Sequence, residues 1–432
     1  MPLVGKFEGV KPLQGLSWKQ FPKEGGKRDG EKGMSTKRTA GTVVIGGGVV
    51  GTAIACYLAM DGLDVTLVER GEFAWGSSRR CDGHVVTYDT PPGAYSRFCK
   101  SAQDMFHEAV RFLPVDFEFS PEGLGLLVDD ERDLETVRDN YEGKKQEGVD
   151  VTLWDTGELR KHEPNIGDNI LACLNFNGDC KLNPMRLCFG LAQHARSLGA
   201  TMLTRTHVTG LKMDNGRIAS VETDAGNIVA ENVILAAGCW TPLLSDMLGI
   251  TVPVRPRQGH VLVTERVRGL VGKNYAEYGY LLAKDGKSRS NVTPEMEQFG
   301  VAFVLEPSHA GTILLGSSRR YVGMDFHPHP SVMRAIAQRA RHFFPSLSDT
   351  RLIRCYAGVR PCTPDAKPII SPTHVHGVYV ASGHEGNGIS LSLITGKIIS
   401  QLLRGEKPFI DISYMSLDRF GLNPPALPGG TA

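Results

Sequence analysis

The chain is 432 residues long, 41% hydrophobic and 22% charged, the profile of an ordinary globular protein of roughly two or three domains. Its 48 Lys and Arg against 47 Asp and Glu leave a net charge of +1, so no broad field exists to hold nucleic acid or an anionic lipid surface. Nine cysteines without a C-x-x-C pair read as reduced, mostly buried thiols and argue against a disulfide framework or an iron–sulfur site.

In chain order, residues 1–38 carry Lys, Glu, Gly and Pro without a continuous apolar run, and read as a poorly ordered leader that is no secretory signal. Residues 42–45, Thr-Val-Val-Ile, are expected to form a strand buried on both faces. They enter Gly46-Gly47-Gly48-Val49-Val50-Gly51, a match to G-x-G-x-x-G, followed by an expected helix over 49–61 with Gly62 as its stop. The triple glycine cuts the nearly uncharged stretch 42–60 into pieces too short to cross a bilayer. A second buried strand, 64–68, ends on Glu69 and Arg70, with Glu69 lying 18 residues beyond Gly51.

Each part has a mechanical role. Gly46 permits the tight turn, Gly48 lets the backbone approach a pyrophosphate, and Gly51 lets helix and strand pack closely. The helix start at Val49 and Val50 offers unpaired N–H groups to the phosphates. A carboxylate at Glu69 can accept both ribose hydroxyls and would repel a 2′-phosphate. Together these predict an adenine dinucleotide, with FAD and NAD both open.

A second small, hydroxyl-rich turn follows at 76–83, Gly-Ser-Ser-Arg-Arg-Cys-Asp-Gly, before His84. In an insert over 91–170, Phe98, Ala102, Met105, Phe106, Ala109 and Leu113 share one helical face, the pattern of core. Asn183-Pro184 opens a helix that Gly199 closes. Residues 208–213 and 217–223 read as a hairpin around Asn215-Gly216, and 233–237 as a buried strand running into Gly238-Cys239-Trp240. The second insert, 247–350, holds strand candidates at 260–264, 278–283, 301–305 and 312–316. Within it His260, Tyr278 and Tyr280 are weighed as pocket residues, with core or sheet-surface roles favoured for each. Last come Tyr356-Ala357-Gly358-Val359-Arg360-Pro361-Cys362-Thr363-Pro364-Asp365 and a strand over 378–381 entering Ser382-Gly383-His384-Glu385-Gly386-Asn387-Gly388-Ile389.

These segments resemble the D-amino-acid-oxidase-like flavoproteins, the group of glycine oxidase and sarcosine oxidase. The Gly-His-Glu-Gly form of the late turn resembles sarcosine oxidase β-subunits and opine oxidase catalytic subunits. The likeness runs from about residue 41 to Leu417-Asp418-Arg419-Phe420, and is firmer at both ends than between 265 and 350. It implies an α/β fold: a Rossmann-type FAD-binding domain from 39–90, 171–246 and 351–420, and a discontinuous, mainly antiparallel α+β substrate domain from 91–170 and 247–350, with 421–432 as a tail.

The resemblance also implies roles. Ser77, Ser78, Gly83 and His84 would approach the pyrophosphate and flavin; Val208 would hold the adenine through its backbone; Ala237, Gly238 and Trp240 would pass beside the dinucleotide. The turn carrying Gly383, Glu385, Gly386, Asn387, Gly388 and Ile389 would meet the flavin pyrimidine edge, where a helix N-terminus stabilises charge gained on reduction. Arg360 would fork a substrate carboxylate beside the flavin, and His384 and Glu385 would hydrogen-bond flavin or substrate without serving as strong bases. Glycine oxidases often carry a second Arg where Gly386 stands, which weighs against glycine as substrate. Monomeric sarcosine oxidases attach their flavin through a Cys where Gly358 stands, so FAD is expected to be noncovalent; no metal is expected.

The resulting expectation is an FAD-dependent enzyme that removes hydride from the α-carbon of a small amine bearing a carboxylate. N-substituted glycines, opines, proline-like imino acids and D-amino acids are the candidates. Oxygen, a quinone or a partner subunit would take the electrons, in a cytoplasmic protein that is peripheral to the membrane if quinone-linked. The competing readings are an inactive FAD-binding assembly or scaffold subunit, and an NAD-linked dehydrogenase.

Overall fold

Two eight-stranded sheets organise the described residues, which in this computed structural model are 38–285, 287–289 and 291–424. Residues 1–37 of the expected leader and 425–432 of the expected tail lie outside them.

The first sheet runs in the order Ile369–Pro372, Val378–Ser382, Gly226–Leu235, Arg38–Ile45, Val65–Val68, Thr201–Leu203. All of these pairs are parallel except Ile369–Pro372 with Val378–Ser382. Alternation along its strands feeds two cores. Val44, Leu67 and Ile234 face the helices Val49–Met60, Pro184–Ser197 and Ser392–Leu403, while Val43, Val68, Val233 and Leu235 face the hairpin Val208–Asp214/Arg217–Thr223. That hairpin turns at Asn215 and Gly216, both at positive φ (48° and 76°), as the Asn-Gly pair requires.

The apolar stripe of the first insert is a helix, Ala94–Phe112, and its Phe98, Ala102, Met105, Phe106 and Ala109 are buried. They join the core of the first sheet's helices rather than that of the second sheet.

The second sheet runs Leu352–Cys362, Arg255–Thr264, Ile313–Gly316, Val304–Pro307, Asn274–Glu277, Leu124–Val128, Ala172–Phe176, Val151–Asp155. It is antiparallel throughout except between Asn274–Glu277 and Leu124–Val128. Leu352–Cys362 and Ala172–Phe176 therefore hydrogen-bond into this sheet, although the sequence placed both in segments of the dinucleotide domain. Below the sheet, Glu277 is fully buried and takes ion pairs from Arg339 and, at 3.2 Å, Arg289.

Two local expectations are corrected. Residues 278–283 are not a strand: the strand is Asn274–Glu277, and Gly279–Asp285 is a helix. The strand expected at 301–305 starts later, as Val304–Pro307. No helix among the described residues is long and apolar enough to cross a membrane.

Candidate active site

One cavity between the sheets is lined by both the early and the late glycine turn. Gly46, Gly48, Val49 and Val50 line it, and so do Gly386, Asn387, Gly388 and Ile389. Gly51 makes the first turn without facing the cavity: a methyl there would lie 1.9 Å from the Gly46 carbonyl oxygen, so only a bare backbone fits. Gly83 and Gly383 act similarly, each pressed against a neighbouring segment outside the cavity.

The helix Val49–Met60 takes no cap from its own N-cap residue, Gly48, and has no acidic residue in its first turn, which leaves its positive end available to an anion. Ser78 Oγ takes the Val49 N–H at 3.1 Å, and Ser77 Oγ donates to the Val359 carbonyl at 2.5 Å, so the second turn braces both the first turn and the second sheet. Glu69 accepts the N–H groups of Gly47 (2.6 Å) and Gly71 (2.7 Å), while burial raises its pKa. Each of its oxygens keeps a further lone pair for a ribose hydroxyl. Arg70, Val208, Ala237, Gly238 and Trp240 line the same end, with the Arg70 guanidinium 5.3 Å over the Trp240 ring.

Asp82, His84 and Glu306 line the same cavity. His84 Nε2 lies 3.3 Å from Glu306 Oε2, which accepts the Gly83 N–H at 2.7 Å. Burial, aided by the Asp82 charge, pushes the Glu306 carboxyl up to about 8, and burial lowers His84. Burial thus favours the uncharged form of each partner.

At the far end, Arg360 and Arg257 are cross-strand partners. Arg360 lies across Gly259, where a methyl would come 2.3 Å from Nη1, and donates from Nη1 to the Ser318 carbonyl at 2.9 Å. Arg257 Nη2 pairs with Glu385 Oε1 at 2.9 Å. Burial works against the Glu385 charge, yet Arg257, Lys284 and Arg360 outweigh it and hold the carboxyl below its ordinary range. His384 is buried, bonds Thr395 Oγ1 at 3.0 Å through Nε2, and is pushed down by burial to about 3. Neither residue is a base in waiting: one is a locked carboxylate, the other a neutral imidazole.

Asn387 donates to Asp89 at 3.3 Å, and Asp89 pairs with Lys284 at 2.8 Å. Tyr88 and Tyr280 line the cavity edge to face, 6.0 Å apart. Of the three weighed pocket residues, Tyr280 is there. Tyr278 is core, and buried His260 bonds Ser318 Oγ at 2.8 Å instead. Sequence reading missed Asp89 and Glu306, which line the cavity, and Arg257 and Lys284, which pair with the lining residues Glu385 and Asp89. Sheet register or isolated positions bring them there, and no local pattern marks them.

A helix start free of acidic residues, a buried acid at Glu69 and a second glycine turn lining the same cavity fit FAD in shape and donor set.

The family model described as "FAD dependent oxidoreductase" (DAO) matches residues 42–402. The chain is 29% identical over 427 residues to hydrogen cyanide synthase subunit HcnC of Pseudomonas protegens, covering 88% of this chain and 96% of that protein. Among solved structures it resembles L-proline dehydrogenase from P. horikoshii (TM-score 0.80, 24% identity, 89% of this chain and 99% of that one). It also resembles glycine oxidase from Geobacillus kaustophilus (TM-score 0.79, 22% identity, 89% and 99%).

Proposed function

The chain belongs to the FAD dependent oxidoreductase family, DAO, and on that premise we propose that it oxidises the C–N bond of a small amino or imino acid whose carboxylate is held by Arg360. The observation that carries this reading is the single cavity with a dinucleotide cradle at one end and a guanidinium fork at the other. FAD, when bound, supplies the hydride acceptor.

The chain's own residues bind and orient. Arg360 presents two parallel N–H donors to the carboxylate. Four cations gathered with two carboxylates disfavour an ammonium, so the substrate nitrogen enters uncharged and no strong protein base is required. Glu385, closed on Arg257, fixes the late turn, and neutral His384 fixes the start of the last helix through Thr395. Loss of hydride from the α-carbon of the uncharged amine leaves an iminium ion, which water converts to a carbonyl compound and an ammonium ion.

A relative named as a synthase subunit supports a partner subunit as electron acceptor, alongside oxygen and quinone. The test is anaerobic mixing of the FAD-loaded protein with N-substituted glycines, proline and D-amino acids, followed by air. Bleaching by at least one of them is expected. Fast recovery in air identifies oxygen as the acceptor, and slow recovery a quinone or protein. Bleaching by none leaves the scaffold reading in its place.

A further inference from the structure

A second cavity, of about 360 Å³, adjoins the one that fits FAD. Glu122, Met185 and His309 line it and are exposed, so it opens to solvent. Ser78, Cys81, Glu306 and Leu314 line both cavities and form the wall between them.

Of these four, Glu306 is the one able to pass a proton. Leu314 has none to give, Ser78 Oγ holds the Val49 N–H at 3.1 Å, and burial drives the Cys81 thiol far up. Glu306 is buried, and its Oε2 accepts the Gly83 N–H at 2.7 Å, which leaves Oε1 to carry a proton. Burial and the Asp82 charge push this carboxyl up to about 8, against the Gly83 N–H and the Lys181 charge. Burial also keeps the other groups beside it, His84 and the Tyr356 phenol, towards their uncharged forms. A carboxyl so placed holds its proton to a higher pH than an ordinary glutamate and still releases it near neutrality.

We propose that Glu306 is the proton donor when the flavin is reoxidised by oxygen or a quinone, and that solvent recharges it through the second cavity. The acceptor takes the electron pair and one proton as the hydride held on the flavin. Hydrogen peroxide or a hydroquinone needs one proton more. The carboxyl O–H bond of Glu306 breaks as the second O–H bond of that product forms, and a proton from solvent restores the carboxyl before the next turnover. With FAD and substrate in the first cavity, the second gives Glu306 its own way to solvent. This inference concerns the oxidative half of the cycle and goes beyond the substrate reading above.

The test photoreduces the FAD-loaded full chain without any amine, so it stands whether or not an amine bleaches the flavin. The reduced protein is mixed with oxygen or a soluble benzoquinone from pH 6 to 10, and reoxidation is followed by flavin absorbance. The rate is expected to fall about tenfold between pH 7 and 9, as the carboxyl loses its proton around 8. Glu306→Gln is expected to reoxidise at least about tenfold more slowly at pH 7, with that pH dependence gone. In Glu306→Ala, added imidazolium is expected to restore the rate in proportion to its concentration. Apart from turnover, infrared spectra of the oxidised protein should show a protonated-carboxyl band that fades above about pH 8 and is missing from Glu306→Gln. A rate independent of pH in the unmodified protein overturns the inference, as does a folded, flavin-loaded Glu306→Gln variant that reoxidises at the unmodified rate. Failure of both oxygen and quinone to reoxidise the protein overturns it too, since a protein acceptor taking single electrons needs no proton donor.

Discussion

His384 illustrates how burial converts a chemically suggestive residue into a structural one. Its imidazole is enclosed, bonds Thr395, and takes a proton only near pH 3 in the fold, against an ordinary value of 6.5. Between those two values the unfolded chain binds the proton and the folded chain does not, so stability climbs with pH across the window and is complete above it. Thermal denaturation of the protein and of His384→Gln from pH 4 to 8 checks this: the unmodified protein is expected to lose more of its melting temperature on acidification than the variant. Parallel curves would show that His384 does not titrate this way. Arg360 and Glu385 were legible because they sit in a dense motif. Arg257 was not, since only the pairing of Arg255–Thr264 with Leu352–Cys362 brings it to Glu385.

The glycine turn and its helix act as one element. Gly51→Ala would drive a methyl into the Gly46 carbonyl oxygen, so the turn must open or the helix must slide. A cost of about 1–3 kcal/mol in stability and a clear loss of FAD content after purification are expected, read from denaturation and flavin absorbance. Full flavin occupancy with unchanged stability would contradict it. Glu277→Ala, at a residue that does not line the cavity, removes the carboxylate between Arg339 and Arg289 and should cost about 3–5 kcal/mol with flavin binding kept in the folded fraction. The elements read correctly from sequence were those with their own punctuation: the fingerprint, the Asn-Gly hairpin, the Asn-Pro helix start. The misread one, 278–283, is a short apolar run whose state is decided by what it packs on, since a helix and a strand are both compatible with it.

At the scale of the whole molecule, the sequence marked the two glycine-rich ends but left their meeting in one cavity to the fold. The segment boundaries were less legible, because Leu352–Cys362 takes an edge of the second sheet and Ala172–Phe176 an interior place in it, pairings that no local pattern marks. Gly358 faces the cavity, and a side chain there would meet Arg80 Cβ and carbonyl oxygen at 2.7 Å, so no tethering side chain fits. Acid precipitation is accordingly expected to leave the yellow in the supernatant; colour in the pellet would contradict a noncovalent flavin.

The most direct test of a single flavin slot ending at an arginine fork is anaerobic titration of the FAD-loaded protein with an amino or imino acid that bleaches it, beside Arg360→Lys. The variant should keep its flavin yet need roughly 100-fold more substrate for half bleaching, since lysine cannot match the fork. Half bleaching at the same concentration in both proteins would place the substrate carboxylate elsewhere and contradict the assignment.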